Sequence, residues 1–198
     1  MSEAAALDEA DIDRVRELVS IGAGHAASAL AGLVGRTCEM RVPTVQRLEA
    51  RQADPALARE GDLTGVLFEL EGGTGGVLAL LFPASTCERL LERLLGPGRS
   101  AGRSDDADQS ALCEVGNILA SHAANAVGEM LGVAMLPSVP RLALTDGKGA
   151  LASLIAARRP HGPTLRIEAE ISDRARELRG ILVLVPDTIR RVAPALRF

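Results

Sequence analysis

The chain has 198 residues, a formal net charge of −4 and 47% hydrophobic residues, so it is globular, with one large domain or two small ones. The acidic balance argues against a nucleic-acid partner, which would call for a basic face. With no Trp, no Tyr and three Phe, there is no platform on which bases would stack.

In chain order, the first predicted element is a long helix over 8–34, capped by Asp8 or Asp11 and stopped by Gly35. Residues 37–48 are β-rich but interrupted by Pro43, which suits an edge strand or a bulge. A polar loop over 51–61 follows, then strands over 63–71 and 75–82 around a Gly-rich turn. An amphipathic helix is expected over 84–95, after Pro83. The Gly-, Ser-, Arg- and Asp-rich stretch 96–108 reads as the joint between two halves. A second long helix over 105–131 stops at Gly132, an extended piece surrounds Pro140, and a short helix spans 149–158. Strands over 164–171 and 178–185 and a final helix over 187–196 complete the chain. The expected class is α+β, with two long helices and shorter amphipathic ones packed on antiparallel sheet.

The two long helices repeat one sequence. Residues 17–35 align without a gap on 114–132, an offset of 97 that also carries Pro43 onto Pro140. Glu17 matches Glu114, Ile21 Ile118, His25 His122, Ala26 Ala123 and Gly35 Gly132. The unit is too long for a solenoid repeat. It predicts a single pseudo-twofold domain of two repeats, 8–98 and 105–198, since half a chain with one small sheet would expose an edge and a face.

At about 100° per residue, Leu112, Val115, Leu119, Ala123, Ala126, Val127 and Met130 of the second helix form a core stripe. Ser110, Glu114, Asn117 and Ser121 fall on the opposite, solvent side, and Asn125 and Gly128 continue it. In the first helix the equivalent positions hold Asp13, Glu17, Ser20 and Gly24. A Glu and an Asn on an exposed helix face are ordinarily only solvated. Here the Glu recurs at the same phase in the repeat, and Asn is a mediocre helix former in mid-helix.

The pattern Ser110, Glu114, Asn117 and, after twenty-two residues, Pro140 resembles the signature of the CheC/CheX/FliY phosphatases. Asp13, Glu17 and Pro43 match it in the first copy, with Ser20 where the Asn would stand. The duplication and length are most similar to CheC. The resemblance implies hydrolysis of the aspartyl phosphate on a CheY-like receiver domain. It implies no cofactor of the chain's own, with Mg²⁺ belonging to the substrate receiver. Loose phosphoryl-transfer transition states leave catalysis to positioning and electrostatics. A neutral carboxamide can both donate to and accept from an attacking water, so Asn117 is the expected water-positioning residue and Glu114 the expected partner of the receiver's lysine. Pro140 is expected to shape the strand behind the helix. Ser110, Ser121 and Asp13 are expected to trim the docking surface. The shorter Ser20 hydroxyl predicts a degenerate site at Glu17 and Ser20. The rival readings are a non-catalytic adaptor that binds a receiver or a CheD-type deamidase, and a flagellar-switch component, the latter disfavoured by the lack of a FliN-like extension.

Other signals are weaker. Gly22-Ala-Gly24 mimics a dinucleotide fingerprint but lacks the preceding strand. His25 and His122 read as boundary histidines before a metal pair. Cys38, Cys87 and Cys113 fit neither a disulfide framework nor zinc spacing, and read as buried thiols in a reducing compartment. An acidic N-terminus without an apolar stretch and the absence of an ~18-residue apolar run predict a cytoplasmic protein without membrane insertion.

Overall fold

Two 26-residue helices, α1 (Glu9–Val34) and α3 (Asp106–Leu131), dominate the computed structural model, which describes residues 9–48, 62–73, 75–96, 106–158 and 164–187. Each stops at a glycine in the left-handed region, Gly35 at φ 65° and Gly132 at φ 63°. The Gly35 N–H donates to the Ala31 carbonyl at 2.9 Å, and the Val133 N–H to that of Gly128 at 2.9 Å. These bonds satisfy carbonyls that the last turn leaves open, at positions where a side chain would be strained. Asp11 lies at the third position of α1, and Asp8 falls outside the described residues. The predicted loop 51–61, most of the joint 96–108 and the final helix lie outside the described residues.

The remaining elements are β1 (Cys38–Leu48), β2 (Leu63–Glu71), β3 (Gly76–Pro83), α2 (Ala84–Leu95), β4 (Leu136–Pro137), β5 (Arg141–Ala143), α4 (Gly147–Arg158), β6 (Thr164–Asp173) and β7 (Arg179–Pro186). The strands form one antiparallel sheet in the order β1-β6-β7-β3-β2, with both β4 and β5 on the far edge of β2. Exchanging β1 with β5, β2 with β6 and β3 with β7 gives the same order read from the other end. As the proline predicts, β1 is an edge strand with a register shift between Arg41 and Thr44.

Alternation along the strands builds two apolar layers. Val66, Phe68, Leu70, Leu78, Leu80, Leu182 and Leu184 face α1, α2 and α3. Leu67, Val77, Ala79, Leu81, Val183 and Val185 face α4. The inner strands are therefore buried on both sides and read as apolar runs.

The topology also fixes the helix directions. All neighbouring strands are antiparallel, so β1 and β5 at opposite edges run oppositely. Short turns reverse α1 into β1 and α3 into β4, which makes α1 and α3 an antiparallel pair. They meet at small residues. A Cβ on Gly22 would come within 3.1 Å of Val127 and 3.2 Å of the Ala123 carbonyl. The end of α1 is tied down by Arg36, whose guanidinium donates to Asp173 at 3.1 Å, and by Arg93, which donates to the Val34 carbonyl at 3.0 Å. Burial pushes the Asp173 carboxyl up, but the Leu178 and Glu177 N–H groups and Arg36 more than reverse this and hold it below the usual carboxylate range.

Candidate functional site on the outer face of α3

Six residues of the α3 core stripe, Leu112, Val115, Leu119, Ala123, Ala126 and Val127, are buried; the side chain of the seventh, Met130, lies outside the described set. Ser110, Glu114, Asn117 and Asn125 are exposed, and Ser121 is half-buried. Steps of three and four residues keep Ser110, Glu114, Asn117 and Ser121 on one arc, opposite the core. Gly128 departs from expectation. It is buried, and a Cβ there would lie 2.6 Å from the Val133 carbonyl. The chain's own return loop occupies the place the sequence left open for a partner.

The seat of the helix explains why this face is so well defined. At Gly116, between Glu114 and Asn117, a Cβ would meet Val66 of β2 at 2.5 Å. The backbone of α3 thus rests directly on the sheet, and the two polar side chains flanking Gly116 are turned outward. Val66 also pairs with Leu142 of β5. This contact gives the twenty-two-residue interval a physical reading. From Asn117 the helix climbs 14 residues to Leu131, about 21 Å, and the chain then returns along the sheet edge to the same level. Pro140 is half-buried at the start of β5, beside the helix at the edge.

The corresponding arc of α1 holds Asp13, Glu17, Ser20 and Gly24, all exposed. Two side chains there are already engaged. Arg16 pairs with Asp13 at 2.6 Å, and the Ser20 hydroxyl donates to the Arg16 carbonyl at 2.9 Å. Such back-bonding to the preceding turn uses the hydroxyl's single proton within the helix. Because α1 and α3 are antiparallel, the two arcs lie toward opposite ends of the pair.

His25 and His122 are both exposed. Among the described residues, no three His, Cys, Asp or Glu side chains gather as a metal site. Cys87 is buried and Cys38 and Cys113 are half-buried, and burial pushes all three thiols up. No helix of the described residues is long and apolar enough to cross a membrane. The sequence reading passed over Leu136 and Val139. They are 60% and 83% exposed on the edge beside α3, and the two prolines that bracket Ser138 and Val139 were the available signal.

The fold is a helix pair on an antiparallel sheet, with an outward Glu and Asn one turn apart on α3, and it is similar to proteins of the CheC-like family. The model of the CheC-like family matches residues 108–143, which contain both side chains and Pro140. The CheY-P phosphatase CheC of Bacillus subtilis is 29% identical over 190 residues, covering 91% of this chain and 90% of that one. Among solved structures, Thermotoga maritima FliY superposes with a TM-score of 0.72 at 19% identity, covering 96% of this chain and 98% of that one. The FliM middle domain of H. pylori gives 0.65 at 14% identity, covering 96% and 98%. The two structures share the fold; the resemblance to the CheC family read from the motif is borne out by the sequence matches.

Proposed function

We propose that this chain hydrolyses the aspartyl phosphate of a CheY-like receiver domain, with Asn117 aiming the attacking water and Glu114 holding the receiver. The observation that carries this reading is the pairing of an exposed carboxamide with an exposed carboxylate one turn apart, on the arc of α3 opposite its buried stripe. The relative named as a CheY-P phosphatase spans nearly the same length and supports the same chemistry.

The acyl phosphate comes with its own Mg²⁺ and a good leaving group on the receiver, so the phosphatase has to supply one oriented water. The Asn117 amide accepts a hydrogen bond from that water and directs its lone pair along the breaking P–O bond, without bringing a negative charge toward the phosphoryl oxygens. Glu114 pairs with a lysine at the receiver's phosphorylation site and sets the angle of approach. Glu17 keeps the docking acid of the first copy. Ser20, shorter than Asn and bonded to the Arg16 carbonyl, lacks the reach for the water. Ser110 and Ser121 frame the docking surface around Glu114.

The test is phosphate release from a phosphorylated receiver with Mg²⁺. Loss of catalysis in Asn117→Ala with docking retained is the expected result; unchanged hydrolysis would sink the reading. The adaptor alternative, in which the chain only occupies a receiver or a CheD-type deamidase, draws on the engaged Ser20 hydroxyl and on the FliM-like fold. It expects docking without turnover in the unaltered protein.

A further inference from the structure

The edge segment 136–143 runs back along the flank of α3, and two contacts locate its ends. Leu136 lines an open hollow with Asn125 and Gly128, near the C-terminal end of α3. Leu142 pairs with Val66, on which Gly116 rests. Between these anchors, the segment that carries Val139 spans the stretch of α3 from Gly116 to Gly128, which includes Asn117 and Ser121.

An exposed valine alone is ordinary; the way this one is held is not. The Ser138 N–H donates to the Glu69 carbonyl at 2.8 Å, and the Glu69 N–H donates back to the Ser138 hydroxyl at 3.0 Å. The side-chain oxygen thus takes the place of a backbone carbonyl and bends the edge strand between β4 and β5. Pro137 and Pro140 fix φ on either side. The bend is locked against β2, and it leaves Val139 83% exposed and Leu136 60% exposed. An apolar side chain on a rigid mount loses little conformational freedom when it is covered.

We infer that Val139, with Leu136 three residues before it on the same edge, is the apolar contact against which the receiver docks, on the surface adjoining its phosphorylated aspartate. This rests on the phosphatase reading and adds a second element to it: Glu114 supplies charge, while the Pro-bracketed edge supplies a rigid hydrophobic stop on the flank of the same helix. The partner it selects is a receiver with an apolar patch next to its phosphorylation site.

The experiment measures steady-state hydrolysis of a phosphorylated receiver, and the affinity for the same receiver held active by Mg²⁺ and beryllium fluoride. Val139→Asp should raise KM about tenfold and weaken docking by the same factor, as expected for loss of a central apolar contact. Its kcat at saturation should stay within twofold. Leu95→Asp, a half-exposed leucine at the end of α2, should change neither. A Val139→Asp protein with wild-type KM overturns the inference, as does one that loses kcat while KM is kept. If Asn117→Ala is inactive in the same assay, the phosphatase reading stands without it. If the unaltered protein neither docks nor hydrolyses the receiver, both fall together.

Discussion

The outer arcs of α1 and α3 carry the same acid at the same phase, yet they differ in what their neighbours leave available. On α3, Glu114 and Asn117 flank a glycine pressed on the sheet, and both are exposed. On α1, Asp13 is paired with Arg16, and Ser20 donates to the Arg16 carbonyl. Replacing an amide by a hydroxyl therefore does more than shorten a side chain. It changes the partner the group prefers, from something outside the helix to the helix's own backbone.

The largest break in this comparison should come from Asn117→Ala, with phosphate release falling about 100-fold or more, since misplacing the reacting water by about 1 Å is enough for such a loss. Ser20→Ala should stay within twofold in the same assay. Equal losses in the two would make the arcs equivalent. Next in size, Glu114→Lys should raise KM at least about tenfold by setting a like charge against the receiver's lysine. Glu17→Lys should change it less than twofold, read by titrating the receiver at fixed enzyme.

A smaller effect contrasts two glycines. Gly116→Ala forces a methyl into Val66 and should destabilise by about 1–3 kcal/mol in urea unfolding. Gly24→Ala has nothing within 4 Å and should stabilise α1 by about 0.5–1 kcal/mol. The smallest effect sharpens the comparison directly. Ser20→Asn removes the back-bond and restores the amide, and in an Asn117→Ala background it should recover turnover by about two- to fivefold, an order-of-magnitude expectation from partial repositioning. No recovery would locate the defect of α1 elsewhere on its arc.

Much of this arrangement was legible residue by residue. The wheel positions of Leu112, Val115 and Leu119 against Glu114 and Asn117 separate core from solvent by period alone. Gly35 and Gly132 mark helix ends because only a residue without Cβ sits easily at positive φ. Pro43 announces the bulge of β1 because it cannot donate to the ladder. The start of α4 was placed two residues late. Gly147 and Gly149 look like breakers, but the Asp146 carboxylate accepts from the Gly149 N–H at 3.0 Å and caps the helix. Gly147 is required because a Cβ there would lie 2.7 Å from the Leu63 carbonyl. No local rule carries a contact between positions so far apart in the chain.

The sequence by itself determined the two long helices and the main strands, the outward arc and the family likeness, because these depend on local periodicity or on motifs of fixed interval. Only the tertiary structure decided that α1 and α3 are antiparallel, that Gly128 lies under the return loop, that Ser20 bonds backward, and that Val139 stands out on the edge segment that flanks α3. Each of these depends on which distant backbone comes to rest against which. Strand order and close packing set that relation; periodicity along the chain does not.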